Sequence, residues 1–195
     1  MPSEVITDHG TGLPSPWRGY KQCLTNLPDC SHVLVLQDDS VPCENFAPAC
    51  LQVAAAQPDH PVCLFLARLP REASAKAERA VARNPTQRYV QLSWRNFMPV
   101  VAVLWPRAKA VEFAEWASVH PQLPGQREPR SDDAMAGMWK MRERQTVLAT
   151  VPSLVQHPDT NPSLIGRRAQ WGKDRNRVAL FMAEDGLDYD WTEGR

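Results

Sequence analysis

The feature that most narrows what this chain can fold into is the stretch HVLVLQDDSVPCENF, residues 32–46, where an apolar run ends abruptly on two adjacent aspartates. The run from His32 to Leu36 shows no polar alternation, which is the pattern of a strand covered on both faces inside an α/β sheet. Two carboxylates at the mouth of such a strand repel each other and lose hydration unless a cation offsets both effects. A hard divalent ion, Mg²⁺ or Mn²⁺, does so: it takes oxygen ligands, needs only one or two protein carboxylates, and fills its other positions with water and substrate phosphates. The competing explanation is that Asp38 and Asp39 are turn and cap residues ahead of Pro42.

The rest of the chain alternates strand-like and helix-like segments. Val5 to Thr7 reads as a short opening strand running into a polar turn at Asp8, His9 and Gly10. Trp17, Tyr20, Leu24 and Leu27 recur at helical spacing, and Pro28 and Asp29 stop that helix. A helix is predicted from Cys43 to Ala56, then a second central strand in VCLFLAR, Val62 to Arg68. The charged, Ala-rich segment from Pro70 to Tyr89 reads as a solvated helix or a mobile flap. YVQLSW and MPVVAVLW follow as strands, the latter entering at Pro106 a helix that starts with Pro in its favoured first turn. Ser131 caps the helix SDDAMAGMWKMRER, which places Asp132 and Asp133 at the positive end of its dipole. QTVLATVPSLVQH supplies a last apolar strand ending near His157, and the tail beyond it, basic and then apolar, is predicted to lie over the surface. Such alternation with short connections predicts an α/β domain, a mostly parallel central sheet flanked by helices, over residues 1–185, with a C-terminal tail at 186–195. Ligands of such sheets bind at the carboxyl ends of the strands, where Asp38 and Asp39 lie.

Composition limits the partners. The 195 residues carry 22 basic and 22 acidic side chains, so no global charge draws the chain to nucleic acid or to an anionic membrane. No apolar run approaches the roughly 20 residues that span a bilayer, and the N-terminus lacks a signal peptide's order, so a cytoplasmic protein with no membrane span is expected. The five cysteines are odd in number and form no C-x-x-C, and they read as small buried hydrophobes rather than as zinc ligands or disulfides.

With HVLVLQDDSVPCENF, the downstream PSLVQHPDTNPSLIG completes a pattern that resembles the GT-A-fold glycosyltransferases, in particular small bacterial and phage types with a VLQDD-x-x-PC strand end. The likeness runs from about Glu4 to about Asp185. It implies a metal-dependent transfer of a sugar from a nucleotide-sugar donor to a hydroxyl acceptor, with Mn²⁺ or Mg²⁺ as cofactor. The family's Asp-x-Asp motif is matched by Gln37, Asp38 and Asp39; Asp39 is the implied metal ligand, and Gln37 and Asp38 support the donor. His157 matches a late metal-binding His. Asp133, and next to it Asp132, match the family's acid at the start of a late helix, the base if the reaction inverts. Asp8 matches an acid facing the nucleoside. Arg167 and Arg168, with Lys173, Arg175 and Arg177, suit the leaving diphosphate. Gln37 brings no charge, and the glycine-containing loop of relatives is absent from Asn96 to Pro99. The family's first strand and helix are also missing: that element is dispensable, or comes from an upstream segment or a partner chain, or the nucleotide is no longer bound.

Two other classes fit the same residues. A GT-A-like remnant acting as a binding or structural module accounts for Gln37 and the missing front element. A metal-dependent phosphoesterase also uses paired acids and a late His, although such sites usually gather more ligands.

Overall fold

The computed structural model describes residues 4–7, 16–68, 71–93, 98–120, 131–157 and 178–193. In chain order these form α1 (Pro16–Cys23), β1 (His32–Leu36), β2 (Val41–Pro42), α2 (Phe46–Ala56), β3 (Val62–Cys63), α3 (Arg71–Arg83), β4 (Tyr89–Leu92), β5 (Ala102–Pro106), α4 (Arg107–Val119), α5 (Asp132–Arg142), β6 (Val147–Thr150), β7 (Val155–Gln156) and a 3₁₀ turn at Gly186–Asp188. The predicted α/β class is present. Asp8, Arg167, Arg168, Lys173, Arg175 and Arg177 lie outside the described residues.

The main sheet has five strands in the order β1-β5-β3-β6-β4, and β2 pairs with β7 in a separate two-stranded ribbon. Only β3 and β6 run parallel; β1 with β5, β5 with β3, and β4 with β6 are antiparallel. The mostly parallel sheet read from the sequence is therefore wrong. Burial on two faces depends on the layers above and below a strand, so an apolar run carries no information about which way its hydrogen-bonded neighbour points. Here β5 follows β4 directly, with no helix among the described residues between them, and returns antiparallel between β1 and β3.

The stretch that suggested a central strand is also corrected. β1 ends the strand order, and its burial is graded: Val35 is buried, while Leu36 is 40% exposed. The opening strand at Val5 to Thr7 does not form, and Val5 is 92% exposed. VCLFLAR is split. Leu64 still donates to Ala102 O at 2.9 Å, but its carbonyl accepts from Leu154 at 2.8 Å and the Leu66 N–H goes to Ser153 Oγ at 3.0 Å, which ends the regular ladder.

Side chains alternate across the sheet into two apolar layers. On one side Val35, Cys63, Val90, Val103, Trp105, Val147 and Ala149 meet α1, α3, α4 and α5. On the other Val62, Leu64, Tyr89, Ala102 and Leu104 meet α2 and the C-terminal segment. The charged Ala-rich segment is a helix with one buried edge, Ala73 and Ala77 at i and i+4, rather than a flap. The described end of the tail read as a surface element packs into the core: Ala179 and Ala183 are buried, and beyond it Trp191 is buried too, its Nε1 donating to Gly186 O at 2.8 Å and its carbonyl accepting from Tyr89 Oη at 2.7 Å. No helix among the described residues is long and apolar enough to cross a membrane.

Candidate functional site

The β2/β7 ribbon assembles the site. Its antiparallel register sets Val41 opposite Gln156 and Pro42 opposite Val155. Continued by one residue, that register sets the Ser40 backbone opposite His157, and the turn just before Ser40 brings Asp39 to the imidazole. Asp39 Oδ2 and His157 Nε2 lie 2.8 Å apart. The acidic turn is held from both ends. Gln37 N donates to Val101 O at 2.9 Å, and Gln37 O accepts from Ser40 N at 3.2 Å and Ser40 Oγ at 2.6 Å. Asp38 is exposed, and the Asp39 side chain keeps 35% of its surface against 9% for His157. The imidazole packs near Phe65, with ring centroids 6.3 Å apart, and its Nδ1 is buried with no hydrogen-bond partner among the described residues. The Gln156 side chain ties the segment down by accepting from His157 N at 3.0 Å and Ala179 N at 2.7 Å.

The second acidic element comes from α5. Ser131 occupies the N-cap position with extended backbone, yet its hydroxyl makes no capping bond, which corrects the capping role read from the sequence. Asp132 takes part of that role by accepting from Asp133 N at 2.9 Å through Oδ1. Its other oxygen, Oδ2, accepts from Gln37 Nε2 at 2.7 Å. Asp132 is 6% exposed, and burial pushes its carboxyl up to about 6; the negative charge of Asp133 adds to the rise, and the two donated hydrogen bonds oppose it. Of the adjacent acids, Asp132 and not Asp133 meets the strand end.

Sequence reasoning missed the Gln37 to Asp132 link and the burial of Lys140. A signal for the second was present: Asp132, Met135, Ala136, Trp139 and Lys140 recur at three- and four-residue spacing and are all buried on one face of α5. Burial pushes the Lys140 ammonium down to about 8 and the nearby Cys63 thiol up to about 12.

Asp39 Oδ2 and His157 Nε2 are in direct hydrogen-bond contact, and they are also the two groups here that could share an ion. Neighbouring ligands about 2.1 Å from an octahedral ion stand about 3 Å from each other, close to the separation found here. The mixed imidazole and carboxylate set suits Mn²⁺ better than Mg²⁺. Among the described residues no three His, Cys, Asp or Glu side chains converge, so water or substrate oxygens would complete the shell.

No protein-family model matches the chain, and no curated protein or solved structure shows significant similarity to it.

Proposed function

We propose that the chain is a metal-dependent glycosyltransferase of the GT-A type, moving a sugar from a nucleotide-sugar donor to a hydroxyl acceptor. The observation that supports it most directly is the meeting of Asp39 and His157, from segments far apart in sequence, at the end of β1. In this reading they hold Mn²⁺ or Mg²⁺, which when bound offsets the charge developing on the leaving diphosphate. Asp38 is exposed at the same turn and is free to face the donor. Asp8, Arg167 and Arg168 remain its donor-side residues in the proposal.

Asp132 takes the base role more naturally than Asp133. A carboxyl pushed up to about 6 is ionised at neutral pH yet more basic than an ordinary aspartate, which favours accepting a proton from an acceptor hydroxyl. Its two oxygens are oriented by Gln37 and by the Asp133 N–H, so the base is held in one rotamer.

Calorimetry with Mn²⁺, followed by a panel of nucleotide sugars, tests the reading. Heat is expected with Mn²⁺ and a donor, and Asp39→Ala and His157→Ala should abolish it without unfolding the protein. A folded sample that gives no heat with any donor sinks the enzyme. The second reading, an inactive binding or structural module, draws on the direct Asp39 to His157 contact, in which each group already has a partner without an ion. It predicts a melting temperature indifferent to Mn²⁺ and nucleotides.

A further inference from the structure

We infer that Gln37 is a positioning residue that couples the acidic turn to α5, using its backbone to hold the Asp39 turn and its side-chain amide to orient and keep ionised the Asp132 carboxylate. The inference rests on the transferase reading only for its catalytic consequence; the coupling itself rests on contacts. Gln37 makes four of them. Its N–H is tied to Val101 O on the approach to β5, at 2.9 Å. Its carbonyl takes both donors of Ser40, at 3.2 and 2.6 Å, which closes the turn bearing Asp38 and Asp39. Its Nε2 reaches Asp132 Oδ2 at 2.7 Å, a charge-assisted distance. A single residue therefore fixes the strand end, the turn and the first residue of α5 relative to one another.

The choice of an amide has a physical reason. Asp132 already sits next to Asp133, and among the described residues the Tyr20 phenol of α1, buried and itself pushed upward, also feels its charge. A carboxylate at position 37 would bring another negative charge to this nearly buried acid, and Asp132 would take up a proton near neutral pH. An apolar residue would leave Oδ2 without its donor. Gln supplies an N–H to the ionised form and no charge, so it opposes the effect of burial. This assigns the Gln37 amide to Asp132 rather than to the donor.

The test follows the Asp132 carboxyl by ¹³C NMR titration in the parent, Gln37→Glu and Gln37→Leu proteins, with the fold of each checked by circular dichroism. The Asp132 midpoint should rise by about one pH unit or more in both variants. The acid limb of the transfer rate against pH should move by the same amount, with KM for the donor little changed. An Asp132 midpoint that stays put in both folded variants overturns the inference. A midpoint that rises in protein without transfer activity toward any donor upholds the coupling and sinks the transferase reading instead. Gln37→Leu guards against the chance that the added carboxyl of Gln37→Glu prevents folding.

Discussion

Asp132→Asn removes a buried charge while keeping the shape of the side chain, and its effect on stability can be worked from the site. The carboxyl is raised from 3.8 to about 6, chiefly by burial. Because the folded value lies above the unfolded one, the neutral carboxyl's contribution is fully present below pH 3.8 and is lost as pH rises through about 6. A shift of about 2 units corresponds to about 3 kcal/mol, so at pH 7 the ionised Asp132 leaves the folded state less stable by that order. Asn carries no charge and avoids this. Its single amide oxygen can accept from Gln37 Nε2 or from Asp133 N but not hold both as Asp132 does, and the lost hydrogen bond returns about 1 kcal/mol. The net gain at pH 7 is about 2 kcal/mol, or about 4–8 °C in melting temperature for a chain of this length. Urea unfolding followed by circular dichroism between pH 4 and 8 reads it directly, and the gain should fade toward pH 4. An Asn variant no more stable than the parent at pH 7, or one whose advantage is the same at both ends of the range, refutes the reasoning. Transfer activity should fall by about 10²- to 10⁴-fold in the same variant, the usual loss for a general base.

Lys140→Met should remove a contribution to stability that rises with pH. The ammonium is lowered from 10.5 to about 8, so its contribution is present above 10.5 and lost as pH falls to about 8. The stability of the parent relative to the variant should therefore climb by about 1 kcal/mol between pH 8 and 9, the raised thiols of Cys23, Cys43, Cys50 and Cys63 acting in the opposite sense in both proteins alike; equal slopes in parent and variant would contradict this. Gly186→Ala should destabilise by about 1–3 kcal/mol, because the added methyl would stand 2.6 Å from Ala49 Cβ, and an unchanged thermal midpoint would show that the cradle gives way. Trp191→Ala should lower stability by about 3–5 kcal/mol in denaturant unfolding, since the indole is fully buried and donates to Gly186 O; a cost under 1 kcal/mol would show that Trp191 is not part of the cooperative core.

Much of the local structure was readable in the residues. The apolar run from His32 to Leu36 is β1 with the expected bounds, and the segment from Arg107 to Val119 is the helix that its pattern implied. The abrupt switch from Val and Leu to Asp38 and Asp39 did mark a strand end, while the single apolar strand expected before His157 is split into β6 in the main sheet and the two-residue β7 in the ribbon. These depend on periodicity and on chain-breaking residues within one segment, which any window of sequence contains. The misreadings at Val5 to Thr7 and at Ser131 come from the same source: a strand needs a partner and a cap needs a rotamer, and neither is local.

Strand order and direction, and with them the composition of the site, were decided only by the tertiary structure. Whether β5 runs parallel or antiparallel to β1 leaves no trace in residues that are buried either way. The meeting of Asp39 with His157 depends on the register of the β2/β7 ribbon, in which a slip of one residue would turn each side chain to the opposite face. The choice of Asp132 over Asp133 depends on which side of α5 packs inward, and the two acids are adjacent in sequence and alike in chemistry. Residue types set what each segment could offer, a carboxylate here and an imidazole there. Packing set which of them face one another, because distance and burial are properties of the folded arrangement and not of any single stretch of chain.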